Sequence, residues 1–535
     1  MNPKINIYRS GELILETEGV PGESLLMRIG EVGVFLDSPC GGNGKCGKCL
    51  VRLKQDGEQV LACRTYIDGD MDVYLPDDME MKIADGSDGE KFGTRSSDFE
   101  TKRQSSASAL TDESGPLTAA PTVGFEKRFG VAVDIGTTTV VAHLTNLDSG
   151  ERVATASGVN AQRTYGADVI SRIQYCTENG HETLTRLIRE QLASLILETC
   201  AASGVRAENI EYVSIAANTI MEHLAAGYSP VGMGVVPFAP ISLFGEEMAA
   251  GSDLPVSKNA RIYFAPAISS YVGGDITAGM LAAKLEDTGG PVVYLDIGTN
   301  GEIVLKSGDM YYCCATAAGP AFEGAEITMG MAAVSGAINH VKWDGGLELS
   351  IIGGGAARGL CGSGLLDALA VLLETGVVDE TGRMLSPDEI EHEAAKHVGE
   401  LGGKNAFWLT RENGGVYMMD SDIRKLQLAK SAIAAGIQTL LSHAGVAEED
   451  VKLFVLAGGF GSFMDQYSAA RIGLFPKCFL PVSQTLGNTA GEGAAIALCS
   501  ESARSKLSEI RERCEYVELS TSMVFNEQFV EQMMF

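Results

Sequence analysis

The stretch VAVDIGTTTVV, Val131 to Val141, decides how the rest of the chain is read. It has the pattern of a β-strand that closes at Asp134, turns at Gly136 and leaves as a second strand. Thr137, Thr138 and Thr139 line the turn with hydroxyls and backbone N–H groups. A related stretch, VVYLDIGTNGEIVL, returns at Val292 to Leu305. Two copies of DIGT on one chain predict two facing half-sites around a nucleotide's phosphates.

At 535 residues the chain is long enough for more than one domain. Hydrophobic residues make up 45%, which permits large cores, and 64 glycines suit the many tight turns of an α/β protein. A formal net charge of -29 argues against sequence-independent nucleic-acid binding, which needs a basic surface. It also disfavours docking on anionic membranes. The start, MNPKINIYRSGELILE, has no signal-peptide core. No apolar run reaches the roughly 18 residues of a membrane span. Of the 12 cysteines, four are clustered near the N-terminus. The others (Cys176, Cys200, Cys313, Cys314, Cys361, Cys478, Cys499 and Cys514) are scattered, and most are expected in the core. A reducing cytoplasm fits this usage.

Residues 1–80 read as a small β-rich domain. INIYRSGELILETEG predicts a hairpin around Ser10 and Gly11, and SLLMRIGEVGV a short helix. SPCGGNGKCGKCLVRL then carries Cys40, Cys46 and Cys49 in a glycine-rich loop, and Cys63 follows, giving C-x5-C-x2-C-x13-C. Four thiolates must converge on two irons, and Gly41, Gly42, Gly44 and Gly47 let the loop wrap closely with N–H groups directed at sulfur. A structural zinc site would favour two compact CxxC knuckles, and only Cys46 and Cys49 form one. The pattern predicts a [2Fe–2S] cluster and resembles plant- and vertebrate-type ferredoxins, with a shorter last gap. Residues 81–126 are Ser, Gly, Thr and charge with few large apolar side chains, the composition of a flexible tether.

From residue 127 the composition returns to that of a large α/β domain. HETLTRLIREQLASLILETCAASG has Leu184, Leu187, Ile188, Leu192, Leu195 and Ile196 at helical spacing, with Gly204 past the end. YVSIAANTIMEHLAAG predicts strand, turn and helix, with Asn218 and Thr219 at the turn and His223 as a structural histidine. Gly273 and Gly274 precede Asp275 at another helix start, where backbone N–H groups face a phosphate. Further glycine loops occur at AAGPAFEGA, GLCGSGLLD, VLAGGFGS and LGNTAGEG. Each alone is an ordinary turn signal.

Their order resembles the ATPase superfamily of acetate and sugar kinases, Hsp70 and actin, over residues 129–535. That resemblance implies two similar subdomains closing over ATP·Mg²⁺. Asp134 and Asp296 match the paired aspartates that organise magnesium. Gly136, Thr137, Thr138 and Thr139 match the loop that holds the β- and γ-phosphates, and Gly298, Thr299, Asn300 and Gly301 match the second loop. Gly458, Gly459 and Phe460 match the adenosine motif, while Asp275 and Glu323 are candidates to position water. Phosphoryl chemistry needs N–H donors, a metal and placed water more than covalent groups. No GxxxxGK[ST] is present, so the P-loop route is disfavoured.

An electron carrier fused to an ATPase makes sense when the acceptor's potential lies below the donor's. About 59 mV uphill costs roughly 1.4 kcal/mol for one electron. The cysteine loop together with VAVDIGTTTVVAHL, YGADVISRI, YLDIGTNGEI, AAGPAFEGA, GLCGSGLLD and VLAGGFGS is similar to the reductive activators of corrinoid proteins, over nearly the full length. The resemblance implies ATP-dependent return of a Co(II) corrinoid to Co(I) for anaerobic methyl transfer. It implies a corrinoid protein and a low-potential electron donor as partners; the expected assembly is a homodimer. One departure is that the tether runs almost directly into Phe129, with no small extra domain between them. Other readings are an activator of a different low-potential enzyme, a redox-sensing ATP-binding regulator and a small-molecule kinase.

Overall fold

The computed structural model describes residues 2–76 and 128–535, apart from 33, 35, 37, 39–41, 43, 45–48, 55, 56, 299 and 325. The expected tether, 81–126, lies outside the described residues. In the N-terminal unit β1 (Lys4–Arg9) and β2 (Glu12–Glu18) form the expected hairpin. Ser10 and Gly11 turn it with φ of 51° and 82°, the left-handed pair that matches strand twist. Next come α1 (Leu25–Glu31), β3 (Leu50–Arg52), β4 (Gln59–Leu61) and β5 (Met71–Tyr74). The sheet order is β2-β1-β5-β3-β4, with β1 and β5 parallel. Ile5, Ile7, Leu25, Leu26, Ile29, Val51 and Val73 fill its core.

The remainder is built on one topology used twice. Its first half contains β6 (Phe129–Ile135), β7 (Thr139–Asn146), β8 (Arg152–Val159), α2 (Val169–Asn179), α3 (Glu182–Ser203), β9 (Ile210–Ala217), α4 (Thr219–Ala226), β10 (Glu247–Ala249), β11 (Arg261–Phe264) and α5 (Gly274–Ala282). The second half opens with β12 (Val292–Ile297), β13 (Gly301–Ser307) and β14 (Met310–Thr316). Two small sheets follow, β15 (Ala337–Trp343), β16 (Leu347–Ile351) and β17 (Gly359–Leu360), then β18 (Val398–Leu401), β19 (Lys404–Thr410) and β20 (Val416–Met419). Between and after them lie α6 (Gly362–Glu374), α7 (Asp420–Ala444), β21 (Leu453–Ala457), α8 (Gly458–Gly461), α9 (Gln466–Arg471), β22 (Ser483–Thr485), α10 (Thr489–Cys499), α11 (Glu501–Glu512), β23 (Cys514–Tyr516) and α12 (Met523–Glu531).

The two large sheets run β10-β11-β9-β6-β7-β8 and β22-β21-β12-β13-β14-β23. In each, the DIGT strand is central. It pairs antiparallel with its hairpin partner (β7 or β13) and parallel with a later strand (β9 or β21). The helices α5 and α10 pack between the sheets so closely that a Cβ on Gly493 would lie 2.1 Å from the Ala278 carbonyl. Ala132, Ala216, Tyr294, Val304 and Val455 face this middle layer. Val131, Val133 and Ile135 face the outer core of the first half, and Val293, Leu295 and Ile297 that of the second. The amphipathic helix α3 covers the first outer face with all six predicted apolar residues buried, and Gly204 ends it at φ 72°. Among the described residues no helix is long and apolar enough to cross a membrane.

Candidate functional site

Strand periodicity aims the two DIGT aspartates. Successive residues of a strand point to opposite faces. Asp134 is in phase with Ala132, and Asp296 with Tyr294, so both carboxylates project into the layer between the sheets. Glu302 on β13 pairs directly with Asp296 in the hairpin and is in phase with Val304, which puts it on the same face. Asp275 enters from the first turn of α5. Glu222 on α4 is fully buried, and a Cβ on Gly274 would lie 2.3 Å from its Oε1. Five acidic groups thus meet where the halves face each other. The sequence reading found three of its own candidates there or beside it: Asp134, Asp296 and Asp275.

Charge crowding shows in their protonation. Burial raises Asp134 to about 7, helped by the field of Asp296 and opposed by a hydrogen bond from Asn488. Burial raises Asp275 to about 8, with Asp296 and Asp134 adding to it. Burial raises Asp296 to about 6, moderated by a hydrogen bond from Tyr294. Glu302 and Glu222 are pushed well above the ordinary carboxyl range by burial first and Asp275 second. Among the described residues neither oxygen of Glu222 has a hydrogen-bond partner of normal geometry, and only the Gly274 N–H opposes the rise. No group of three ligand-type side chains among the described residues is arranged as an all-protein metal cage.

The hairpins flank this cluster. In the first, Thr138 Oγ1 is buried without a protein partner among the described residues, and Asn218 Nδ2 donates to Thr137 Oγ1 at 3.2 Å. An orphaned hydroxyl in a threonine turn fits a phosphate-bearing ligand. In the second, Gly298 N donates to Asn300 O at 2.9 Å and Thr316 Oγ1 donates to Gly301 O at 3.0 Å. Thr299 lies outside the described residues.

The predicted adenosine motif begins α8 at the edge of the same site. Gly458 has φ 87°, and a Cβ there would sit 2.5 Å from Asp296 Oδ1 and 2.6 Å from Ile297 O. Only glycine lets the chain turn from β21 against the end of β12 at this point. Gly459 is exposed, and Phe460 stacks on Phe322 with centroids 5.6 Å apart. Glu323 ends the short turn that carries Phe322, so it belongs to the Phe460 side. It is not among the charges that shift Asp134, Asp275 or Asp296. His223 is structural as expected: buried, with Nδ1 on Thr219 O at 2.7 Å and Nε2 accepting from Ile241 N at 3.0 Å.

Glu222, Glu302, Asn488 and Arg172 were missed. Glu302 had a usable signal, a charge in the inward phase of a buried strand. Arg172 had another, a charge on the apolar stripe of α2 with Val169, Ile173 and Cys176.

At the N-terminus, Cys49 and Cys63 are buried at the same end of the β3–β4 hairpin. Leu50 pairs with Leu61, and Ala62 N donates to Cys49 O at 2.8 Å, which brings the two cysteine backbones together. Gly42, at φ 84°, approaches Cys63: a Cβ on it would lie 3.9 Å from that residue's Cβ. Two buried thiols under a glycine turn fit an iron–sulfur ligand set. Cys40 and Cys46 lie outside the described residues.

Fold and site define a class: an iron–sulfur protein whose large part is an α/β ATPase of the actin, Hsp70 and sugar-kinase type. Family models make it specific. Residues 11–68 match the 2Fe-2S iron-sulfur cluster binding domain, 129–288 the RACo middle region, and 291–535 the C-terminal domain of RACo, the ASKHA domain. The corrinoid activation enzyme RamQ of Eubacterium limosum is 30% identical, with 98% of each chain covered. The [Co(II) methylated amine-specific corrinoid protein] reductase of Methanosarcina barkeri is 25% identical over 74% of this chain and 75% of its own. A solved reductive activator for corrinoid, iron-sulfur protein superposes with a TM-score of 0.69 at 28% identity, covering 100% of this chain and 98% of that one. The chain belongs to the family of reductive activators of corrinoid proteins.

Proposed function

We propose that this protein uses ATP to drive one low-potential electron from an N-terminal [2Fe–2S] cluster to the Co(II) of a corrinoid protein, regenerating Co(I) for anaerobic methyl transfer. The observation that carries this reading is the coexistence, on one chain, of buried Cys49 and Cys63 with two facing DIGT hairpins around a carboxylate cluster. The full-length likeness to corrinoid activators supports it.

The residues divide the work. Cys40, Cys46, Cys49 and Cys63 hold the cluster, which supplies one-electron chemistry. Thr137 to Thr139 present N–H groups and hydroxyls to the phosphates, and the turn of the second hairpin, Gly298 to Gly301, faces them from the other half. Asp134 and Asp296 would hold magnesium, whose charge would relieve the crowding that burial and mutual repulsion impose. Asp275, which a bound magnesium beside it would bring back to the ionised form, accepts a proton from the attacking water, and Gly458 to Phe460 seat the adenosine. Glu323 stands beside that seat. ATP offsets the uphill transfer by favouring a state of the complex in which the acceptor is easier to reduce.

We assign residues 1–80 to the cluster domain, 81–126 to a tether and 127–535 to the ATPase. The assembly is a homodimer in the cytoplasm, fed by a low-potential donor. The test is phosphate release by reduced protein with and without a corrinoid partner under anaerobic conditions. Turnover that depends on the partner supports the reading; no turnover in either case overturns it.

A further inference from the structure

The first hairpin is backed by a fully buried cation. Arg172 has no exposed surface, and no carboxylate forms an ion pair with it among the described residues. Its Nε donates to Gly166 O at 2.9 Å, Nη1 to Gln162 Oε1 at 3.1 Å, and Nη2 to Thr137 O at 2.5 Å. Asp168, whose field reaches it, is committed to capping α2 through Ser171 N at 2.7 Å. Burial lowers the guanidinium to about 9, which still leaves it charged at neutral pH. A buried charge without a counter-ion is costly, and proteins rarely retain one without a use.

Its neighbours show the use. Asn160 Nδ2 donates to Gly136 O at 2.8 Å, and Asn160 N donates to Thr138 O at 2.9 Å. With the Arg172 bond, three successive hairpin carbonyls are held from behind. Across a trans peptide the C=O of one residue and the N–H of the next point in opposite directions. Holding the carbonyls of Gly136, Thr137 and Thr138 therefore turns the N–H groups of Thr137, Thr138 and Thr139 away from Asn160 and Arg172. In the second hairpin it is a neutral hydroxyl, Thr316 Oγ1, that holds Gly301 O.

We propose that Arg172, with Asn160, is a positioning residue for the polyphosphate: it fixes three hairpin peptides with their N–H groups toward the ligand, and the phosphate charge is the counter-ion that its guanidinium lacks. This rests on the reading of the hairpin as an ATP site.

The experiment measures equilibrium binding of ATP and of adenosine to the full-length, cluster-loaded protein and to Arg172→Gln and Arg172→Lys. ATP affinity of Arg172→Gln is expected to fall about tenfold or more, as for loss of a charge-assisted contact, while adenosine affinity stays at the wild-type value. Arg172→Lys keeps the charge without the fork and is expected to fall between, and it carries the same test if Arg172→Gln does not fold. Wild-type ATP affinity in the folded variants, or equal losses for ATP and adenosine, would overturn the proposal. A wild-type protein that binds no ATP would remove the nucleotide reading and this proposal with it.

Discussion

Asn488 Nδ2 donates to Asp134 Oδ2 at 2.8 Å across 354 positions of sequence, while Asn488 Oδ1 accepts from Gly491 N at 2.8 Å and caps α10. One side chain thus joins a helix start of the second half to the aspartate of the first hairpin. The bond favours ionised Asp134, which burial holds at about 7. Asn488→Ala is expected to raise that value further, so the acid limb of the ATP-hydrolysis profile moves to higher pH. Losing the cap also costs about 1 kcal/mol of stability. A pH–rate series and a denaturant melt on wild type and variant check the two effects, and an unmoved acid limb would count against the role of Asp134.

The carboxylate cluster sets a pH dependence of stability. In the folded protein Asp296, Asp134 and Asp275 stand at about 6, 7 and 8, against about 3.9 for an unfolded Asp. The folded state therefore holds protons that the unfolded chain releases. This contribution is complete below pH of about 4 and is lost as pH rises through 6 to 8. Metal- and nucleotide-free protein is expected to melt at lower temperature as pH rises over that window, and MgATP to oppose the fall. Asp275→Asn should flatten the profile and raise the midpoint at pH of about 8.5 by about 2 °C or more, while ATP hydrolysis drops by about a hundredfold. Differential scanning calorimetry of both proteins decides it.

Gly458 is tested by the smallest change available. A methyl group at φ 87°, 2.5 Å from Asp296 Oδ1, must displace either α8 or the aspartate. Gly458→Ala is expected to destabilise by about 1–3 kcal/mol and to weaken ATP binding, as read by calorimetry. Normal ATP affinity in this variant would separate the α8 turn from the nucleotide site.

Cys63 is buried beside Cys49 and far in sequence from the ATPase residues. Cys63→Ser is expected to lower iron content and bleach the [2Fe–2S] absorption while ATP affinity is retained. A variant with full iron content would remove Cys63 from the ligand set.

Much of this was legible because local pattern and tertiary role coincided. Both DIGT hairpins, the helix α3 with its six apolar residues, and the strand before Gly458 follow directly from period and turn chemistry. The pairing of Asp134 with Asp296 was readable because each ends a buried strand in the same phase. Glu222 and Asn488 were not readable in the same way. Their neighbours come from other elements, and nothing near Glu222 in sequence announces that α5 will bring Asp275 to it. The six strands β15 to β20 were not anticipated either, since their short segments interrupt a region read chiefly through its glycine loops.

The central claim is that ATP at the hairpins drives an electron from the cysteine-bound cluster to cobalt. The direct measurement is anaerobic mixing of reduced protein, MgATP and a Co(II) corrinoid protein while following the Co(I) absorption. The account predicts Co(I) with wild type, none without ATP, and none with Asp296→Ala, whose cluster spectrum stays intact. Equal Co(I) formation with and without ATP, or full activity in Asp296→Ala, would contradict it.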